Sequence, residues 1–371
     1  MLLALLAAGA IYQRIAAARS RTRFIPPGLL LDVGGHRLHV VCGGAGSPGV
    51  LFESGIAASS VSWARVLPEV AEFTTACAYD RAGFAFSDVS ASPRTFSRIL
   101  EDLSAVLAHM RMRPSVLVGH SFGSLIVRGY AARHPQNVAG IVMIDPPTEW
   151  IDGGQQHVRM LRGARGLSTV GAWLAHVGVV RACLALLTSG RPGVPRQFVR
   201  VFGPTAAQTV ERLVGEVRKL PADMHPVVQA LWCDPKCFRA MADHLLVLQR
   251  EGPAIAALAP PPEIPVVVIS GGHQTAQTVV AQRRFADASL EGRHVVADKS
   301  GHWVLFDQPE VIVAVVRDLV SGLRSRSSGT IATSNGCERR QHHQHDEVGD
   351  DRADAHQHPE PLRRRKVRQQ E

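Results

Sequence analysis

The first 150 residues of the chain alternate between short apolar runs and amphipathic stretches. The apolar runs, rich in β-branched residues, predict strands, and the stretches with apolar residues on one helical face predict helices. Predicted strands cover residues 29–33, 36–42, 49–53, 74–79, 115–118 and 139–144, and predicted helices cover residues 62–73 and 95–112. The first two strands, joined by Gly34 and Gly35, form a predicted hairpin. Strands that alternate with helices predict a mostly parallel sheet covered on both faces, which is an α/β fold.

This rhythm stops at residue 150 and resumes at about residue 263. Between these points the pattern predicts no strand, only helical stretches separated by Gly-Pro clusters, at residues 170–187, 206–220, 226–232 and 238–248. Strands at 266–269 and 294–296 then alternate with helices at 279–288 and 309–323. We therefore expect a core made of residues 24–149 and 263–323, interrupted by a helical cap at residues 150–262.

Both ends of the chain differ from this core in composition. Residues 1–23 are apolar as far as Tyr12 and then basic, which indicates a membrane anchor or a peripheral helix rather than a secretory signal. Basic residues after an apolar segment favour the cytoplasm for the body of the chain. We expect membrane association through this segment or, alternatively, a soluble cytoplasmic protein. Residues 324–371 have few large apolar side chains, so we expect a disordered tail without a part in the chemistry.

The overall composition excludes some classes of function. The chain has 371 residues and a formal net charge of +9, but its arginines are scattered and form no stripe interleaved with aromatic residues. This distribution predicts no nucleic-acid site. Six cysteines are too few and too widely spaced to predict a disulfide framework. Cys233 and Cys237 are spaced for a loop disulfide or half of a metal site, but isolated thiols are favoured.

The segment 119–123 carries the clearest chemical signal. It reads Gly-His-Ser-Phe-Gly and lies directly between a predicted strand and a predicted helix. Glycines on both sides of Ser121 permit a sharp reversal that exposes the hydroxyl group. The helix that follows directs free backbone N–H groups toward the place where an oxyanion would form. The alternative is an ordinary exposed serine in a strand-to-helix turn.

A serine hydroxyl group needs a base before it acts as a nucleophile at neutral pH. His302 lies in a Gly-His pair after the last predicted strand, at the carboxyl edge of the sheet where Ser121 also lies. Functional residues of open parallel sheets gather at this edge. His302 is therefore the predicted base, although an ordinary surface-loop histidine would give the same pattern.

These motifs resemble the α/β-hydrolase superfamily over residues 29–323. The segment 79–88, Tyr-Asp-Arg-Ala-Gly-Phe-Ala-Phe-Ser-Asp, is similar to the loop after the fourth strand of that family, and the order serine, acid, histidine also fits. The resemblance implies an eight-stranded sheet with the cap over the active site. Residues 23–28 are similar to the corresponding region of bacterial membrane-anchored members.

The resemblance also suggests the remaining site residues. The usual acid position, in the loop 270–275, holds no carboxylate in this chain. Some members carry the acid after the preceding strand, where Asp145 is the preferred candidate and Glu149 the alternative, although Asp145 would also serve as a structural cap. The backbone N–H groups of Ile56 and Phe122 are the expected oxyanion donors.

Taken together, these features predict a serine hydrolase that cleaves carboxylic esters through an acyl-enzyme. No metal or organic cofactor is required by this chemistry. The apolar cap favours a small, lipophilic ester as substrate. The same triad would also serve a carbon–carbon bond hydrolase, a lactonase or an acyltransferase. The missing carboxylate in the loop 270–275 leaves a non-catalytic scaffold as the alternative from another class.

Overall fold

The computed structural model describes residues 1–148, 154–188 and 218–342, and one eight-stranded sheet lies at its centre. The strand order is β1-β2-β4-β3-β5-β6-β7-β8. Strand β2 pairs antiparallel with β1 and with β4, and all other neighbours are parallel. The strands are β1 (Leu29–Asp32), β2 (Arg37–Gly43), β3 (Gly49–Glu53), β4 (Ala76–Tyr79), β5 (Ser115–His120), β6 (Val138–Ile144), β7 (Val266–Gly271) and β8 (Arg293–Ala297). This sheet confirms the predicted fold class.

Helices cover both faces of the sheet, because alternate residues of the central strands point to opposite sides. The helices before the cap region are α1 (Leu2–Arg23), α2 (Leu67–Ala71), α3 (Phe96–His109) and α4 (Phe122–Arg133). One apolar layer joins Leu51 and Leu117 of the sheet to Leu103 of α3. The opposite layer joins Val50 and Val116 to Val70 of α2. Burial of both faces explains why the strands read as continuous apolar runs.

The segment between β6 and β7 contains four helices in its described part. These are α5 (Gly154–His176), α6 (Val179–Thr188), α7 (His225–Trp232) and α8 (Pro235–Ala257). The prediction of one continuous helix over residues 170–187 is wrong. The helix is interrupted between α5 and α6 at Gly178, whose φ is +75°. Most of the helix predicted over residues 206–220 lies outside the described residues.

Three helices complete the described fold after the cap region. Helices α9 (Ala276–Asp287) and α10 (Val304–Asp307) flank β8, and α11 (Pro309–His342) ends the described chain. Contacts divide the chain into Met1–Arg324 and Ser325–Glu371. Helix α11 continues past residue 324, where the predicted tail begins, as far as His342. Residues 343–371 lie outside the described part.

Helix α1 contacts the cap through a buried glutamine. Gln13 Nε2 donates to the carbonyl of Cys233 at 2.8 Å, and Arg181 Nε donates to Gln13 Oε1 at 2.9 Å. Among the described residues, no single helix has the length and apolar composition needed to cross a membrane. His157–His176 and Val179–Ala185 satisfy that test only as a pair, bent by 87°. Membrane association through residues 1–23 stays a prediction.

A disulfide, which the cysteine spacing did not predict, joins Cys42 of β2 to Cys77 of β4. The two residues are direct partners in the antiparallel register, with their Cα atoms 4.1 Å apart. Pairing of β2 with β4 was not evident from spacing alone, since the chain passes through β3 between them. Cys233 and Cys237 are free, as predicted. Burial raises the pKa of Cys233 to about 11 and that of Cys237 to about 12.

Candidate active site

Ser121 lies in a strained turn between β5 and α4. Its backbone has φ +52° and ψ −119°, a conformation that non-glycine residues rarely adopt and that occurs where function demands it. The flanking glycines are required by space. A Cβ atom on Gly119 would lie 2.5 Å from the Gly123 carbonyl oxygen, and one on Gly123 would lie 2.3 Å from that of Glu53. The backbone N–H of Ser121 donates to Ile144 O at 2.9 Å, which fixes the turn against β6.

His302 and Asp145 form a hydrogen-bonded pair. His302 Nδ1 lies 2.5 Å from Asp145 Oδ2, and the Asp145 side chain is 2% exposed. Asp145 follows β6 directly, and its φ of +43° turns the side chain out of the strand direction. The contact to a carboxylate places a proton on Nδ1 of His302, so that Nε2 carries the free lone pair in the neutral ring.

The surroundings of Asp145 keep its carboxyl group ionised. Burial raises its pKa, but the hydrogen bond and the positive charge of His302 lower it by more, with a further contribution from Gln282, and the net shift is downward. Its partners are an imidazole and neutral amides rather than a lysine or arginine. The negative charge of Asp145 is therefore available to an imidazolium at position 302.

Two glutamines contact Asp145 that sequence analysis did not identify as site residues. Gln274 Nε2 donates to Asp145 Oδ2 at 2.5 Å, and Gln282 Nε2 donates to Asp145 Oδ1 at 2.8 Å. Gln274 lies in the loop after β7 and Gln282 in α9. One feature of the sequence pointed to Gln274. The loop 270–275 lacks a carboxylate, but it lies at the same edge of the sheet, so a polar residue in it can contact an acid supplied by another loop.

His120 supports the backbone of the His302 loop. Its Nε2–H donates to His302 O at 2.9 Å, and the two rings are 4.8 Å apart. Burial, followed by the charge of His302, lowers the pKa of His120 to about 3, so the ring is neutral. His120 adjoins Ser121 in the chain, and its contact therefore holds the predicted base beside the predicted nucleophile. In the described part of the chain, no hydrogen bond joins Ser121 Oγ to His302, and such contacts often tighten only when substrate binds.

The predicted oxyanion donors come from opposite sides of Ser121. Phe122 begins α4, so its N–H lacks an intrahelical partner. Ile56 follows Gly55, and a Cβ atom on Gly55 would lie 3.6 Å from Ser121 Cβ. The segment after β3 therefore passes directly against the predicted nucleophile.

Buried ionic contacts hold this segment in place. Arg81 forms an ion pair with Glu53, and Tyr79 OH donates to the other oxygen of Glu53. Arg81 also donates to Ser54 O at 2.6 Å and to Gly55 O at 2.5 Å. The guanidinium group therefore fixes the two carbonyl groups that precede the N–H of Ile56.

An apolar cavity of about 260 Å³ lies between the cap and the core. Cap residues Val180, Trp232 and Phe238 form part of its wall. Ala57, which follows Ile56, and Trp303, which follows His302, form part of the core side. Among the described residues, none with a charged side chain lines the cavity, so it suits an apolar group. Glu149, the alternative acid, lies outside the described residues.

Comparison with known proteins supports the fold and the superfamily. The α/β-hydrolase fold family matches residues 48–169. Among solved structures, an α/β-hydrolase fold protein from Burkholderia ambifaria is 21% identical and has a TM-score of 0.55, over 78% of this chain and 99% of its own. Together with the sheet topology, these findings show that the chain has the α/β-hydrolase fold.

Curated relatives match only part of their own length. An uncharacterized Bacillus subtilis protein, YqjL, is 32% identical over 27% of this chain and 41% of its own. A 2-hydroxymuconate semialdehyde hydrolase from Pseudomonas sp. strain CF600 is 28% identical over 50% of this chain and 71% of its own. The first of these relatives is thus covered over less than half of its length.

Proposed function

We propose that this protein is a serine hydrolase that cleaves carboxylic esters through an acyl-enzyme. The observation that carries the proposal is the 2.5 Å contact between His302 and Asp145, at the sheet edge where Ser121 occupies a strained turn. A neutral imidazole with its Nδ1 proton held by a carboxylate is the arrangement that a serine nucleophile needs from its base.

The mechanism follows from these roles. Ser121 Oγ attacks the ester carbonyl carbon while His302 Nε2 accepts the hydroxyl proton. The N–H groups of Ile56 and Phe122 donate to the developing oxyanion, and each such donor typically contributes about 2.7–4 kcal/mol to transition-state stabilisation. The alkoxide leaves with the proton from His302, and a water molecule activated by the same nitrogen then hydrolyses the acyl-enzyme. Asp145 remains ionised throughout and stabilises the imidazolium.

The substrate in this proposal is a small, lipophilic ester. The cavity is lined by Ala57 and Trp303, which follow Ile56 and His302 in the chain, and by no charged side chain of the described residues. Each methylene group buried in such a cavity contributes about 0.8 kcal/mol. We therefore expect kcat/KM for p-nitrophenyl esters to rise from acetate toward medium-chain acids and to fall once the acyl chain exceeds the cavity.

A carbon–carbon bond hydrolase with the same three residues is the second candidate. It is favoured by the likeness to the 2-hydroxymuconate semialdehyde hydrolase, which extends over half of this chain. The two candidates differ in their preferred substrate. A kcat/KM for 2-hydroxymuconate semialdehyde above that of the best ester would replace the ester proposal with this one.

Labelling with a fluorophosphonate probe tests the serine mechanism directly. We expect the wild-type protein to be labelled, and Ser121→Ala to abolish both labelling and ester turnover with the folded state intact by circular dichroism. His302→Ala should reduce turnover by nearly as much, and the double variant should lose little more, because the two residues act as one unit.

The exposed Ser92→Ala is the matched control and should remain fully labelled. Undiminished labelling of the Ser121→Ala protein would disprove the assignment. An unlabelled wild-type protein would favour the non-catalytic scaffold instead.

A further inference from the structure

The carboxyl group of Asp145 accepts hydrogen bonds at both oxygens. Oδ2 is shared between His302 Nδ1 and Gln274 Nε2, each at 2.5 Å, and Oδ1 accepts from Gln282 Nε2 at 2.8 Å. A carboxylate that pivots about its Cβ–Cγ bond needs a contact at each oxygen before its orientation is fixed. Gln274 and Gln282 supply such contacts from two different elements, the loop after β7 and helix α9.

Both glutamines are themselves held in place. Gln282 is buried, and its Nε2 also donates to Pro146 O at 2.9 Å, so one amide contacts both the carboxylate and the backbone that follows it. Gln274 is half-buried, and its backbone N–H donates to Gly271 O at 3.1 Å. Burial and backbone hydrogen bonds therefore hold both glutamines in position beside Asp145.

We propose that Gln274 and Gln282 are positioning residues that clamp the triad acid through two neutral amide donors. The inference rests on the proposed function for its effect on turnover. It assigns to the β7 loop and α9 the task of orienting a carboxylate that the β6 loop provides. Neutral donors orient the carboxylate without adding a cation that would compete with the imidazolium for its charge.

The clamp also affects the protonation of His302. The ionisable groups that face Asp145 are His302, from the loop after β8, and His120, from the end of β5. Asp307 contacts the N–H of Gly301 in the His302 loop and pairs with Lys219 of the cap. Because His120 is neutral, His302 is the group beside Asp145 that takes up the proton in the proposed mechanism. Removal of an amide donor leaves more of the carboxylate charge directed at His302 and stabilises its imidazolium form.

The test compares Gln274→Met and Gln282→Met, each of which removes one amide donor, with Gln277→Met. Gln277 is exposed on α9, the helix that also contains Gln282, and it provides the matched control. For each clamp variant we expect kcat to fall by about ten- to a hundredfold, the range that one hydrogen bond to a charged group represents, with KM nearly unchanged. The acid limb of the kcat/KM profile should move to higher pH in Gln274→Met, an effect that a merely structural role would not produce. Gln282→Met keeps the length of the buried side chain without its donor, and Gln274→Met tests the clamp at a half-buried position if Gln282→Met fails to fold.

A second readout does not require turnover. The Nδ1–H proton of His302 should give a low-field resonance in protein labelled with 15N-histidine, and it should move in both clamp variants but not in Gln277→Met. Wild-type protein that resists fluorophosphonate yet shows these displacements would refute the proposed function and leave the clamp in place. Labelled protein whose kcat, pH profile and resonance are the same in all variants would overturn the clamp and leave the proposed function in place.

Discussion

The two halves of the carboxyl edge of the sheet each contain a buried carboxylate, and the partners of these carboxylates differ in charge. On the β3–β4 side, Glu53 is neutralised by the guanidinium of Arg81. On the β6–β8 side, Asp145 is held by His302 and by two amides. Both carboxylates are buried, but only the second is without a permanent cation among its hydrogen-bond partners.

This difference separates structural from chemical uses of a carboxylate. A buried carboxylate paired with arginine has its charge compensated at all times and mainly fixes geometry, here that of the segment leading to Ile56. A buried carboxylate held by neutral donors retains the charge that stabilises a transient cation. The side that holds the proposed oxyanion donor Ile56 therefore has a compensated carboxylate, and the side that holds the proposed base His302 has an uncompensated one.

The largest expected effect is that of Asp145→Asn. The change preserves shape but removes the charge, and in comparable triads it lowers turnover about 10⁴-fold. Asp298→Asn is the control, because Asp298 is exposed in the loop after β8 that also contains His302, and it should leave kcat unchanged. If Glu149→Gln lowered kcat strongly and Asp145→Asn lowered it little, Asp145 would not be the triad acid.

Loss of the ion pair between Arg81 and Glu53 should mainly lower the free energy of unfolding. Arg81→Met leaves Glu53 buried without its cation, and loss of one partner of a buried pair typically costs about 3–5 kcal/mol in the free energy of unfolding. Adding Glu53→Met should restore much of this loss, because an apolar pair replaces the ionic one. Urea unfolding measures both quantities.

Activity should not follow stability in that double variant. The carbonyl groups of Ser54 and Gly55 lose their arginine donor in both variants, so the N–H of Ile56 is no longer fixed, and kcat should stay reduced. Arg37→Met breaks the exposed pair with Asp88 and should change little, since surface pairs contribute about 0–1 kcal/mol. Recovery of kcat together with stability would show that Arg81 has no part in orienting the oxyanion side.

The smallest expected effect is a pH dependence on the compensated side. His39 Nδ1 lies 2.8 Å from Asp80 Oδ2, and its Nε2 contacts Pro27 O. Burial lowers the pKa of His39, but the hydrogen bond and the charge of Asp80 outweigh burial and raise it overall. A raised pKa in the folded state stabilises the protein below about pH 6.5, the value of the unfolded chain, and this contribution is lost as the pH rises through the folded pKa. The difference in unfolding free energy between wild type and His39→Gln should therefore be larger at mildly acidic than at alkaline pH, and a constant difference would contradict the assignment.

The parts predictable from sequence were those set by local patterns. Strand β3 was predicted at its observed bounds because a continuous apolar run is sufficient to define a buried parallel strand. The contact between Asp145 and the loop after β7 was not predictable, since it depends on which side chains meet across an edge. The same is true of Cys42 and Cys77, and the break at Gly178 was hidden in an unbroken apolar helical pattern.

The disulfide between β2 and β4 bears on where the chain folds. Such bonds form and persist in oxidising compartments and are rare in the cytosol, whereas the basic residues after the N-terminal apolar segment favour the cytoplasmic side. These two expectations exclude each other. A count of free thiols in protein trapped with an alkylating agent inside living cells would choose between them. Alkylated Cys42 and Cys77 would indicate the reducing side of a membrane, and protected ones would indicate that the hydrolase fold matures after export.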